Sequence, residues 1–195
     1  MTRTALTRLG LAVAFAALTA APAGLNAATP LSPDAWKIDK AHSRVTFTVT
    51  KWGFAEVEGR FLDFEGAILY VAQHPQQSRI EWRLRIASVQ TGAPSRDKAL
   101  QGAEYFDADR FPEMQFVSEH VRSIGPNQLE VQGQMTIKGQ ARSLTVRVLY
   151  GGSHPVPKEG AYEIFQTEFA VNRHDYGVVG GSLWFRRSLK KCASS

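Results

Sequence analysis

The stretch Arg79-Ile80-Glu81-Trp82-Arg83-Leu84-Arg85-Ile86 decides the fold. Ile80, Trp82, Leu84 and Ile86 take every second position, with Arg79, Glu81, Arg83 and Arg85 between them. Successive strand side chains point to opposite faces, so this is a strand with one dry side and one wet side. Outward from it the pattern recurs. Arg44 to Thr50 sets Val45, Phe47 and Val49 against Thr46, Thr48 and Thr50, and β-branched residues on a face favour a strand. Val57 to Val71 reads as one long bent strand with Leu62, Phe64, Ile68 and Tyr70 on one face and bends at Gly59 and Gly66. Met114 and Phe116 share a face, as do Leu129, Val131, Gly133, Met135 and Ile137. Lys138-Gly139-Gln140 forms a tight turn into Ser143 to Tyr150, where Leu144, Val146, Val148 and Tyr150 align. Tyr162 to Asn172 carries Phe165, Phe169 and Val171 on one face, and Trp36 to Asp39 is a short first strand.

Between Ala93 and Pro112 the alternation stops. Ser95 suits an N-cap, Asp97 a first turn and Gly102 a stop, which predicts a short helix over Arg96 to Gln101, with a further turn at Asp107 to Arg110. Lys51-Trp52-Gly53-Phe54 and His154-Pro155-Val156-Pro157 read as loops. So many strands and so little helix predict an all-β protein: an antiparallel up-and-down barrel of about eight strands with a short helical insertion over one opening.

The chain has 195 residues, 44% hydrophobic and 21% charged, which fits one globular domain. The net charge of +5 is mild and dispersed among acids, so no clustered basic face for nucleic acid is present. Arg3 and Arg8 precede the apolar run Leu9 to Ala21, followed by small residues. That is a signal peptide over residues 1–27, with cleavage after Ala23, Ala27 or Ala28, and a barrel domain over 28–195. Its removal takes away two arginines and no acid, lowering the charge to +3. The mature chain is therefore expected in a bacterial periplasm. One cysteine, Cys192 in a polar tail, excludes an intramolecular disulfide.

His42, His74, His120, His154 and His174 have no metal-ligand spacing, so no metal site and no cofactor are expected. Neither a phosphate loop nor a nucleophile elbow occurs. His174-Asp175 is the sole polar pair to nominate for an enzyme, and neighbours on a strand point apart, so no catalytic residue is assigned. The aromatic set in the strands fits a packed core or a ligand-lined interior, and alternation alone does not choose between them.

Further residues carry a family likeness. Trp36-Lys37-Ile38-Asp39, His42-Ser43 and Phe47 resemble the opening of the YceI-like, polyisoprenoid-binding family. The likeness continues through Gly59-Arg60-Phe61, Ser88-Val89-Gln90-Thr91-Gly92, Arg96-Asp97, Leu100 and Tyr105-Phe106-Asp107. It runs on through Phe111-Pro112, Phe116, Gly133 to Gly139 and Arg173-His174-Asp175-Tyr176-Gly177, covering about residues 36 to 181. The resemblance implies a lipocalin-like barrel, exported, holding a polyprenyl or quinone-type lipid. Two departures stand out. Ala99 replaces a histidine common in the family. The stretch from Ser182 to Ser195 is basic and does not alternate cleanly, which leaves open a truncated last strand.

The expected function is thus a periplasmic carrier with an isoprenoid inside the barrel, with transient membrane contact and a homodimer left open. The expected lining is Phe47, Val49, Leu62, Phe64, Ile80, Trp82, Leu84, Ile86, Phe116, Val131, Met135 and Ile137. Arg96 and Asp97 are head-group or lid residues. A non-catalytic stress-response or interaction protein with a filled core is the alternative.

Overall fold

A computed structural model describes residues 35–51, 54–157, 160–180 and 189–194. The expected signal peptide and its cleavage sites, Trp52-Gly53 and residues 182–188 lie outside the described residues. The strands, in chain order, are β1 (Trp36–Lys37), β2 (Arg44–Lys51), β3 (Ala55–Phe61), β4 (Phe64–Leu69), β5 (Arg79–Arg85), β6 (Val89–Gln90), β7 (Glu113–Gly125), β8 (Gln128–Ile137), β9 (Gln140–Val156), β10 (Gly160–Phe169) and β11 (Leu189–Ser194). One helix, α1 (Pro94–Gln101), lies between β6 and β7.

The eleven strands of the described residues belong to one sheet, in the order β1-β4-β5-β7-β8-β9-β10-β11-β2-β3-β6. Both ends of that sheet return to one stretch of chain. Only Leu62 and Asp63 separate β3 from β4, yet β3 pairs with β2 and β6 while β4 pairs with β1 and β5. The sheet leaves through β4 and comes back through β3, which curls it into a nearly closed antiparallel barrel. The corner is held by backbone bonds to the turn at Ile86–Ser88: Leu62 N–H donates to Ser88 O at 3.2 Å, and Arg85 N–H donates to Asp63 O at 2.9 Å.

The bend therefore sits at Leu62–Asp63 and not at the glycines. Gly59 and Gly66 stay in their ladders, opposite Phe47 and Trp82. Their missing side chains admit neighbours instead. A Cβ on Gly59 would lie 2.3 Å from Phe47 Cζ, so the Phe47 ring occupies that space.

The truncated last strand is corrected. Leu189–Ser194 forms β11, pairing with Phe165–Phe169 of β10 and Arg44–Phe47 of β2. Its uneven sequence fits because ladders need only backbone groups, and register shifts at Thr167/Glu168 and Lys190/Cys192 absorb the mismatch. Cys192 lies in this strand and not in a free tail. Among the described residues β11 pairs with Phe165–Phe169 of β10, and Gly160–Ile164 pair with β9. The loop expected at His154–Pro157 is likewise mostly strand, because Gly160 and Tyr162 pair back onto Val156 and His154.

The expected tight turn is present. Lys138 and Gly139 both take positive φ, 49° and 70°, between paired Ile137 and Gln140. Positive φ at both central residues is the geometry that matches strand twist in a two-residue hairpin. In α1, Pro94 opens the helix, where its missing N–H is no loss. Ala93, not Ser95, is the cap residue, and Gly102 ends the helix as expected.

The inward faces meet in one apolar cluster around Phe61, Leu84, Ile86, Met114, Val131 and Met135. Fully burying each such side chain contributes about 1.5–3 kcal/mol. Gly133 is part of that packing: a Cβ there would lie 2.2 Å from Val117 O and 2.8 Å from Phe116 Cζ. Gly133→Ala should lower the denaturant midpoint, by about 1–3 kcal/mol of stability. Gly125→Ala, where a Cβ meets nothing within 4 Å, should change little. Equal midpoints for the two variants would contradict this packing.

Candidate functional site

The barrel encloses an apolar cavity of about 60 Å³. Phe64 and Ile68 of β4, Ile80 and Trp82 of β5, Phe116 of β7, Val131 of β8, Val146 and Val148 of β9, and Phe165 and Phe169 of β10 form most of its wall. Ile38, just after β1, closes one side. The Trp82 and Phe116 rings stack at 6.2 Å between centroids. Ser43 and Arg44 at the start of β2, Glu81 of β5, and Gln166 and Thr167 of β10 give it a polar rim. Ser43 Oγ is buried there with no hydrogen-bond partner among the described residues.

Of the twelve expected lining residues, Phe64, Ile80, Trp82, Phe116 and Val131 reach the cavity. Phe47, Leu84, Ile86, Met135 and Ile137 face inward but belong to the solid core nearer α1, and half-buried Val49 packs against it. Leu62 is a correction. It is 53% exposed, because the corner inserts two residues between inward Phe61 and inward Phe64 and so turns Leu62 out. The residues not expected there, Ile68, Val146, Val148, Phe165 and Phe169, all sit on apolar faces visible in the sequence. The pattern gave their facing, but not their height along the barrel.

At one end the insertion covers the barrel. Leu100, Tyr105 and Phe106 pack on the core, with the Phe106 ring 6.4 Å from Phe61. Arg96 and Asp97 fasten that cover. Asp97 Oδ1 accepts from Thr91 N–H at 2.8 Å and from Thr91 Oγ1 at 2.5 Å. Arg96 donates to Thr91 Oγ1 at 2.7 Å and to Thr91 O at 2.8 Å. Both bind the lid helix to the end of β6, and neither lines the cavity. His174 and Asp175 lie exposed in a turn where Asn172 accepts from His174 N–H and donates to Asp175.

The YceI-like domain family matches residues 36–190. The chain belongs to the YceI-like family. A UPF0312 protein of Pseudomonas putida (strain W619) is 30% identical over 168 residues, spanning 85% of this chain and 87% of the relative. The crystal structure of BcnA from Burkholderia cenocepacia superposes with a TM-score of 0.71 at 23% identity, covering 81% of this chain and 99% of that one. A polyisoprenoid binding domain from Saccharophagus degradans, implicated in plant cell wall breakdown, gives a TM-score of 0.60 at 13% identity, covering 82% and 97%. These structures share the fold.

The end of this YceI-like barrel opposite α1 is narrowed by three rings. Tyr70, Tyr150 and Phe165 form a triangle with centroids 4.7, 5.5 and 5.2 Å apart. Tyr150 Oη donates to Glu163 Oε2 at 2.5 Å. Burial, then the bond to Glu163 and its charge, push the Tyr150 phenol from 10.0 up to about 12. Burial and Glu163 also raise Tyr70. A phenol whose pKa is raised by folding stabilises fully below the unfolded value and loses that contribution as pH climbs through the folded one. Stability should therefore fall between pH 10 and about 12, and Tyr150→Phe should flatten that fall. Denaturant midpoints across this window check it, and an unchanged slope in the variant would contradict it.

Proposed function

We propose that this YceI-like chain is an exported carrier that holds a long isoprenoid, of polyprenyl or quinone type, inside its barrel. The observation that carries the reading is the apolar cavity walled by inward side chains from β4 through β10, with a polar rim at one side. The polyisoprenoid binding domain of Saccharophagus degradans has the same fold, which supports it. Arg3, Arg8 and the apolar run that follows support export to the periplasm.

The chemistry is burial. Transfer from water contributes about 0.8 kcal/mol per carbon, so a five-carbon isoprene unit supplies about 4 kcal/mol before ordering costs. A few units would exceed the needs of tight binding, so withdrawal of the tail from a membrane governs loading. A cavity of about 60 Å³ is less than the roughly 150 Å³ that holds one benzene ring. Loading therefore requires Trp82, Val146, Val148 and Phe165 to move apart. The same small volume is the observation that favours a second reading, a non-catalytic interaction protein with a filled core.

Incubation with vesicles containing a fluorescent polyprenyl lipid, followed by gel filtration, separates the two. The carrier reading expects co-eluting lipid. Trp82→Arg, which puts a charge into the cavity, should reduce retained lipid by about tenfold or more while circular dichroism stays unchanged. Lipid-free wild-type protein would favour the filled core, whereas equal retention by the folded variant would count against Trp82 as a wall of the lipid site.

A further inference from the structure

A second cavity, of about 110 Å³, lies between β1 with the residues just after it and the Ala161–Phe165 part of β10. We propose that it receives the polar end of the bound lipid and selects an uncharged, hydrogen-bond-donating end, an alcohol or phenol hydroxyl, over a phosphate. The inference rests on the carrier reading and adds the class of head group. The two cavities share Ile38, Ile68 and Phe165 as walls. These three side chains thus stand between the two spaces, and a tail in the interior reaches the second space when they shift.

The chemistry of that space is set by Glu163. It lines this cavity, and its carboxylate reaches the inward Tyr150 Oη, which places it at this end of the barrel. Tyr150 Oη occupies one carboxylate lone pair, and an ionised carboxylate offers about four acceptor sites. Acceptor capacity remains, and among the described residues no cation stands within ion-pair reach of Glu163. Asp39, the other carboxylate on the wall, is engaged by Ala41 N–H at 2.8 Å and by His42 Nδ1 at 2.6 Å. Those bonds hold its carboxyl below the usual range. Lys37 is the one ammonium on the wall; it is exposed and alternates with Ile38, which faces the interior. Arg44 is on the rim of the first cavity and not of this one.

A hydroxyl arriving here donates to Glu163. A phosphate brings about −1.5 to −2 charges and only acceptors, and among the described residues meets carboxylates with no fork of donors to hold it. Like charges forced together cost several-fold to many-fold in affinity.

Geranylgeraniol and geranylgeranyl diphosphate share one tail and differ at the head. Each is titrated into the detergent-free full chain, with quenching of tryptophan fluorescence as the signal. The alcohol should bind the wild type about tenfold or more tightly than the diphosphate. Glu163→Lys should reverse that order. Glu163→Gln, which still accepts from Tyr150, should narrow the ratio and serves if the lysine variant does not fold. A diphosphate bound as tightly as the alcohol, or a ratio unchanged in the folded variants, would overturn the head-group assignment while leaving the carrier reading intact. Failure of both probes to bind the wild type would bring down the carrier reading and this inference together.

Discussion

The corner at Leu62–Asp63 is the constraint on which the rest of the barrel depends. One stretch of chain must ladder in two directions, with β3 facing β2 and β4 facing β5, and two backbone bonds to the Ile86–Ser88 turn and to Arg85 hold it there. Without the corner the sheet would have two long exposed edges, which invite pairing with other chains. With it, the inward faces close on one another and an interior exists. The same corner decides which residues look inward, since Phe61 and Phe64 both do and Leu62 does not.

The interior is divided along its length. Towards α1 it is solid, and rings fill the spaces that glycines leave there: Phe47 over Gly59 and Tyr105 over Gly180. Further along, Trp82 and Phe116 stack beside the cavity, and the Tyr70–Tyr150–Phe165 triangle narrows its far end. Next to that triangle a second space opens beside Glu163. Apolar volume, aromatic constriction and a polar end thus follow one another along the barrel. That order fits a molecule with a long apolar tail and a small polar head.

Strand faces were legible in the sequence wherever alternation was unbroken. Ile80, Trp82, Leu84, Val131 and Met135 all face inward as their spacing required. The Lys138-Gly139 turn and the stop at Gly102 were legible because each rests on local backbone chemistry. Leu62 was misread because a corner shifts the face by a residue, and its cause, the bonds of Leu62 and Asp63 to Ser88 and Arg85, involves partners more than twenty positions away in the chain. β11 was hidden for a related reason: its place is set by the free edges of β10 and β2 and not by its own alternation. Phe165 and Val148 were visible as apolar faces, but only the assembled barrel shows that they border a void. Glu163 carried no signal beyond being an acid inside a strand.

Native mass spectrometry of the full chain, expressed in a bacterium and purified without detergent, tests the central claim most directly. The account predicts a discrete added mass that extracts into organic solvent as an isoprenoid. A bare mass from folded, monodisperse protein, with no isoprenoid in the extract, would contradict it.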